Sequence, residues 1–283
     1  MRDVQWTVRG GRVLGPAPFF IAGIVNVTPD SFYDGGRHAD TASAVAHGLE
    51  LARQGADLLD VGGESTRPYA DPVPEAEEIR RVAPVLRGLA QALGPDGPVL
   101  CVDTVKPGAA RAALEAGAAV VNDVSALADP ALLDLLAEFR PGYVLMHTQG
   151  TPADMQDAPR YADPVAEVLA FFERGLARLT AAGLPEDRVV LDPGIGFGKR
   201  LEHNLALLRG VERFMALGRP VYVGLSNKSL FAGLLDLGPD ERHNATQAAT
   251  AVLAMRGVAV HRVHEVEPTR QTLAVVRALS GEP

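Results

Sequence analysis

Eight short apolar runs that each end in polar residues, amphipathic stretches between them, and a length of 283 residues predict an α/β fold, a (β/α)8 TIM barrel. Apolar runs of this kind fill strands buried on both faces. Strands that alternate with helices predict a parallel sheet. About 250 residues suffice for one such barrel. The chain therefore reads as a single domain, residues 1–283, without a linker or low-complexity segment. Sites in parallel barrels lie at the C-terminal ends of the strands, so the polar residues that end the runs are the candidates for chemistry.

In chain order, Val4 to Val13 alternates loosely around Gly10-Gly11 and predicts a β-hairpin with a two-glycine turn, placed as a plug in the bottom of the barrel. Phe19 to Val25 is the first barrel strand; it ends at Asn26 in a long polar loop that runs to Gly36. A helix is expected near Thr41, capped by Asp40, with Ala42, Val45, Leu49 and Ala52 on one face. Leu58-Leu59-Asp60 leads into the Gly62-Gly63 loop, and a helix begins near Pro74 with Glu75, Glu77 and Glu78 where a helix N-terminus favours acids. Val99 to Val102 ends at Asp103-Thr104, before a helix from about Pro107 to Ala116 that Gly117 stops. Val120-Val121 ends at Asn122-Asp123, before a helix around Pro130 to Glu138. Val144 to Met146 ends at His147, before a long helix from about Pro164 to Ala182.

Val189-Val190-Leu191 ends on Asp192. Pro193 cannot extend a ladder there, and Gly194, Gly196 and Gly198 let the backbone turn and approach a ligand. An amphipathic stretch from about Leu201 to Leu217 follows. Val221 to Leu225 passes into Ser226-Asn227-Lys228-Ser229 and a short helix, then a helical stretch from His243 to Arg256. Val258 to Val263 carries Arg262 and ends at His264, and a helix from about Pro268 to Leu279 closes the count.

Composition narrows the function classes. No run reaches the roughly 18 apolar residues of a membrane span, and Met1 to Gln5 has no apolar signal region, so a soluble cytoplasmic protein is expected. A net charge of −8 argues against nucleic-acid binding, and an anionic substrate would need local Arg, Lys and N–H groups. One cysteine, Cys101, rules out an intrachain disulfide and a cysteine zinc site. His261 and His264, three apart on a strand, face opposite sides and make a poor metal pair.

The strand-end residues suit a flat, nitrogen-rich heterocycle with a phosphorylated arm. Asp192 can accept two N–H donors from an amino-pyrimidinone edge, Asn122 can donate and accept in one plane, and Asp103 can accept another ring N–H. Lys228 can donate to a ring carbonyl, and Arg262 can stack on the ring or pair with phosphate. Asn26, Thr66 and Arg67 offer groups for a phosphate and its metal. Each also has an ordinary reading: Asp192 as a turn cap, Lys228 as a solvated charge, Asn122-Asp123 as a cap, Arg67 as a surface residue. Their shared rim favours the functional one.

The chain resembles the dihydropteroate synthase family from near its N-terminus to its end. The matching motifs are Asn26-Val27-Thr28-Pro29-Asp30-Ser31-Phe32, Asp60 to Pro68, Val102-Asp103-Thr104, Asn122-Asp123, Met146-His147, Leu191 to Gly194 with Phe197-Gly198-Lys199, Lys228-Ser229 and Arg262-Val263-His264. The resemblance implies joining 6-hydroxymethyl-7,8-dihydropterin diphosphate to 4-aminobenzoate with release of diphosphate. It also implies Mg²⁺, a TIM barrel and a homodimer. By motif, Asp103, Asn122, Asp192 and Lys228 would hold the pterin with Arg262 against its face. Asn26 would meet Mg²⁺ and diphosphate, and Thr66, Arg67, Arg262 and His264 would bind diphosphate. Phe32, Phe197, Ser226 and Ser229 would border 4-aminobenzoate. The loops with Phe32 and Asp34, and with Thr66 and Arg67, would close over the substrates. Three positions depart from the family pattern: Asn227 where Arg is usual, Tyr33 for a smaller residue, and Glu265 for Asp. Two other readings are a methyltetrahydrofolate methyltransferase, which shares a pterin-binding barrel but lacks these two loops, and a non-catalytic pterin-binding paralogue.

Overall fold

A computed structural model describes residues 2–27, 37–66, 69–151 and 153–281. Eight parallel strands form one sheet: β3 (Phe20–Asn26), β4 (Leu58–Gly62), β5 (Val99–Asp103), β6 (Val120–Asp123), β7 (Gly142–Met146), β8 (Val189–Asp192), β9 (Tyr222–Gly224) and β10 (Val260–Val263). Their order is β8-β7-β6-β5-β4-β3-β10-β9, and a parallel bridge between Leu191 and Val221 joins the two ends into a barrel. Around it lie α1 (Arg37–Arg53), α2 (Glu75–Leu93), α3 (Pro107–Glu115), α4 (Pro130–Phe139) and α5 (Pro164–Ala181), then α6 (Leu201–Arg209), α7 (Glu212–Met215), α8 (Leu230–Leu235), α9 (His243–Met255) and α10 (Val266–Leu279).

Local chemistry explains the helix starts. Asp129 accepts from the N–H of Ala131, and Asp163 from those of Val165 and Ala166; each acid stands before a proline whose missing N–H needs no partner in the first turn. Three expected boundaries differ. Asp40 lies inside α1, which already runs from Arg37, so it is not the cap. The stretch expected from Leu201 to Leu217 splits at Gly210, which ends α6 where a side chain would press on Val165. The last helix starts at Val266, because Pro268 falls in its first turn, where a proline is tolerated.

The hairpin β1 (Val4–Thr7) and β2 (Val13–Ala17) is antiparallel, and a 3₁₀ turn over Arg9–Gly11 replaces the tight two-residue turn. Its Trp6, Val8 and Leu14 pack against Leu58, Val99, Val120, Val144, Val190, Tyr222 and Val260, which seals the bottom of the barrel. The Trp6 indole N–H donates to the carbonyl of Arg188 at 2.8 Å. Their sequence neighbours Leu59, Leu100, Val121, Leu145 and Leu191 face the helices. Strand side chains alternate, so two residues beyond each plugged position lies another inward residue: Asp60, Asn122, Asp192 and Arg262, with Asp103 two beyond Cys101. Above the apolar plug the barrel interior is therefore polar.

Candidate active site

Thr66, Asp103, Asn122, Asp192, Phe197, Lys228 and Arg262 line one cleft at the C-terminal end of the barrel, together with Val124, Met146, Ile195 and Gly224. Arg262 organises its floor. Its Nε donates to Asp60 Oδ2 at 2.5 Å and its Nη2 to Asp103 Oδ2 at 2.7 Å. Asn122 Nδ2 donates to the same Asp60 oxygen at 3.1 Å. Asp60 Oδ1, Asp103 Oδ1 and Asn122 Oδ1 are buried with no hydrogen-bond partner among the described residues. Leaving such atoms unpaired costs about 1–3 kcal/mol each, so a ligand that brings N–H donors is favoured here.

The β8 loop shapes the opposite wall. Asp192 Oδ1 accepts the Gly194 N–H at 2.7 Å, so this residue caps its turn and lines the cleft at once. Gly194 has φ +64°, and a Cβ there would stand 1.9 Å from the carbonyl oxygen of His147, which excludes any side chain. Buried Lys199 donates to the carbonyls of His147, Gly194 and Phe197 at 3.1, 3.0 and 2.8 Å and ties the loops after β7 and β8 together. Lys228 Nζ stands 4.3 Å from the centre of the Phe197 ring.

Burial dominates the charges. It raises the Asp103 carboxyl to about 7, with Arg262 pulling down and Asp60 pushing up. It raises Asp192 to about 6 against the Gly194 N–H and Lys228. It lowers Lys228 to about 8, helped by Arg262 and opposed by Asp192 and Asp103. His147 falls to about 3 through burial and nearby Lys199, so its ring is neutral at physiological pH. Arg262 stays charged: burial opposes this, but Asp60 and Asp103 more than offset it.

Among the described residues, the candidates Asn26, Ser226, Ser229 and His264 are not part of this lining. Asn26 ends β3 opposite Gly62. Ser226 Oγ accepts the His264 N–H at 3.2 Å and lies 2.9 Å from its Nδ1, which joins the two. Ser229 is exposed at the start of α8 and makes no side-chain cap. Phe32, Tyr33, Asp34 and Arg67 lie outside the described residues. Two residues without an assigned role prove central. Asp60 is fully buried beneath Arg262, and its matching parity with Leu58 was the available signal. Lys199 stood only within the matching motif Phe197-Gly198-Lys199, with no role attached to it. Asn227 takes φ +56°, a left-handed backbone that Asn adopts more readily than most side chains. Its N–H donates to Thr246 Oγ1 at 3.3 Å and its carbonyl accepts from Arg242 at 3.0 Å.

The barrel's rim sets carboxylates, an amide and two cations around one narrow cleft, and the chain matches the pterin binding enzyme family over residues 22–264. It is 43% identical over 258 residues to the dihydropteroate synthase of Escherichia coli, covering 91% of this chain and 90% of that one. The Xanthomonas albilineans dihydropteroate synthase with 4-aminobenzoic acid superimposes with a TM-score of 0.91 at 44% identity, over 99% of this chain and 100% of the other. The same enzyme in complex with 7,8-dihydropteroate gives 0.88 at 42%, over the same shares. The chain belongs to the dihydropteroate synthase family.

Proposed function

We infer that the chain condenses 6-hydroxymethyl-7,8-dihydropterin diphosphate with 4-aminobenzoate to 7,8-dihydropteroate and diphosphate, the dihydropteroate synthase step of folate biosynthesis. The carrying observation is the single cleft shared by Asp103, Asn122, Asp192, Lys228 and Arg262, in a chain 44% identical to a synthase that holds 4-aminobenzoic acid. The test is diphosphate release by the purified chain. Release that requires both substrates and yields dihydropteroate supports the reading; pterin binding without release would favour a non-catalytic protein.

Asp192 and Asn122 would hold the amino-pyrimidinone edge, Asp103 a ring N–H, and Lys228 the ring carbonyl. Arg262 would flank the ring and, with Thr66, Arg67 and His264, hold the diphosphate. The methylene C–O bond breaks to release diphosphate, and cationic character on the methylene is stabilised by the Asp103 carboxylate. The amine of 4-aminobenzoate then forms the C–N bond and loses a proton. Its nitrogen is neutral, so no strong base is demanded. Mg²⁺ suits this site: it takes one or two protein oxygens alongside substrate phosphates. Asn26 supplies an amide oxygen at the rim, and no group of three His, Cys, Asp or Glu among the described residues could hold a metal unaided. Asn26 would hold the ion, which would neutralise the diphosphate.

Phe197, Ser226, Ser229 and Phe32 would border 4-aminobenzoate. Asn227 removes the long stem and charge of an Arg from that border. Asn227→Arg is expected to lower the KM for 4-aminobenzoate and leave that for the pterin substrate unchanged. It should also cost about 1 kcal/mol of stability, because φ is positive here. Steady-state kinetics for each substrate, with a thermal melt, check both; a change confined to the pterin constant would misplace this loop.

A homodimer is the proposed assembly. Val252 and Met255 on α9 and Val275 and Leu279 on neighbouring α10 are exposed large apolar residues of the kind a subunit interface covers. Light scattering should give twice the 29.9 kDa chain mass, and Met255→Glu should shift it toward monomer. A monomeric parent chain would refute the assembly.

A further inference from the structure

We propose that Lys106 is a positioning residue for the diphosphate half of the substrate, acting through the loop between β4 and α2. This rests on the reading that Thr66 helps to bind diphosphate. Lys106 Nζ lies between two carboxylates from different elements: it bonds Glu64 on the loop, and Glu78 on α2 at 2.5 Å. Glu78 is fully buried, so Lys106 is the cation that makes its charge tolerable there. Glu64 also accepts the Val73 N–H at 3.0 Å through its other oxygen. One carboxylate thereby fastens both ends of the segment from Glu64 to Val73.

Two further contacts lock the same base. Arg81 on α2 donates to the Gly63 carbonyl at 2.9 Å. Gly63 packs so closely on α2 that a Cβ would come within 2.8 Å of Val82 and 3.1 Å of Glu78. Thr66, two residues past Glu64, lines the cleft. Lys106 itself follows the β5 end that carries Asp103, and its N–H donates to Thr104 Oγ1 at 3.2 Å. It therefore couples the strand end holding the ring to the loop facing the diphosphate. It also leaves the Glu64–Glu78 pair with one net negative charge instead of two beside an anionic ligand.

The test compares two ligands that differ only in the diphosphate: 6-hydroxymethyl-7,8-dihydropterin diphosphate and the bare 6-hydroxymethyl-7,8-dihydropterin. Lys106→Gln and Glu64→Gln are expected to raise KM for the diphosphate substrate about tenfold, the loss of one charge-assisted hydrogen bond, with bare-pterin affinity retained. Lys106→Arg should restore most of the loss. Glu64→Gln keeps the Val73 acceptor and the buried Lys106–Glu78 pair, so it should fold even where Lys106→Gln does not. Thr66→Val, assayed in parallel, reports on the diphosphate reading itself. Equal losses for both ligands would make the clamp merely structural and overturn the proposal. A selective loss in Thr66→Val with none in the clamp variants would overturn the proposal and leave the diphosphate reading intact. No selective loss in any variant would remove both.

Discussion

Asp192→Asn is expected to weaken pterin binding about a hundredfold while the barrel stays folded. The amide oxygen can still accept the Gly194 N–H that Asp192 accepts at 2.7 Å, so the turn survives. Its NH₂ group, however, would face a ring N–H, donor against donor. Losing a charge-assisted bond and stranding a buried donor costs about 3 kcal/mol, or about two orders of magnitude in affinity. Stability should move the other way. Burial raises this carboxyl to about 6, above its value in the unfolded chain. Such a group contributes stability below its unfolded pKa and loses that contribution as pH rises through about 6. Relative to the parent, the variant's melting temperature should therefore rise as pH is taken from below to above that midpoint. Calorimetric titration with 6-hydroxymethyl pterin and melts on either side of the midpoint measure both effects. Unchanged pterin affinity would remove Asp192 from the ring site.

The barrel was legible because its strands are buried on both faces, so each appears as an apolar run with a polar end. The same burial hid orientation within the runs: Leu58 and Leu59 look alike in sequence, yet one meets the plug and the other the helices. Asp103, Asn122 and Asp192 were grouped by their place at the strand ends, with Arg262 one residue before the end of its strand; their inward parity emerges only in the fold. Asp60 has the same parity but makes its bonds to Arg262, 202 residues away, and to Asn122, 62 away, which no local pattern encodes.

Contacts to backbone carbonyls were the least legible. Lys199 bonds three of them, and a carbonyl's position depends on the path of the chain rather than on residue type. The clamp of Glu64, Glu78 and Lys106 was hidden for a similar reason: its acids stand 42 and 28 residues before the lysine. Glu78 appeared only as part of an acidic helix start, a solvated role, whereas the structure buries it completely. The break at Gly210 was missed because one glycine in an amphipathic stretch costs only about 1 kcal/mol and often leaves a helix continuous. Here the backbone leaves helical geometry at Gly210 (φ −96°, ψ 11°), and α7 restarts only at Glu212.

Arg262→Met should abolish turnover and also destabilise the protein, by about 3–5 kcal/mol, because one cation serves two buried acids. Its guanidinium meets Asp60 through Nε and Asp103 through Nη2, and those side chains are 1% and 8% exposed. Methionine fills the volume but leaves both carboxylates and the Asn122 contact to Asp60 without a neutralising charge. The pH dependence identifies the cause. Burial already raises Asp103 to about 7 although Arg262 pulls it down, so removing Arg262 raises it further. A carboxyl raised in the folded state regains stability as pH falls through that folded value. The gap in melting temperature between Arg262→Met and the parent should therefore narrow below about 7 and widen above it. Arg262→Lys should recover part of the stability, since it restores charge, but little turnover. An ammonium cannot reproduce the separated Nε and Nη2 directions that hold two acids at once and flank a ring. Melts of the three proteins across this pH range, with diphosphate release beside them, decide the matter. A stability gap that does not change with pH would mean that packing rather than charge is what Arg262 supplies to the floor of the cleft.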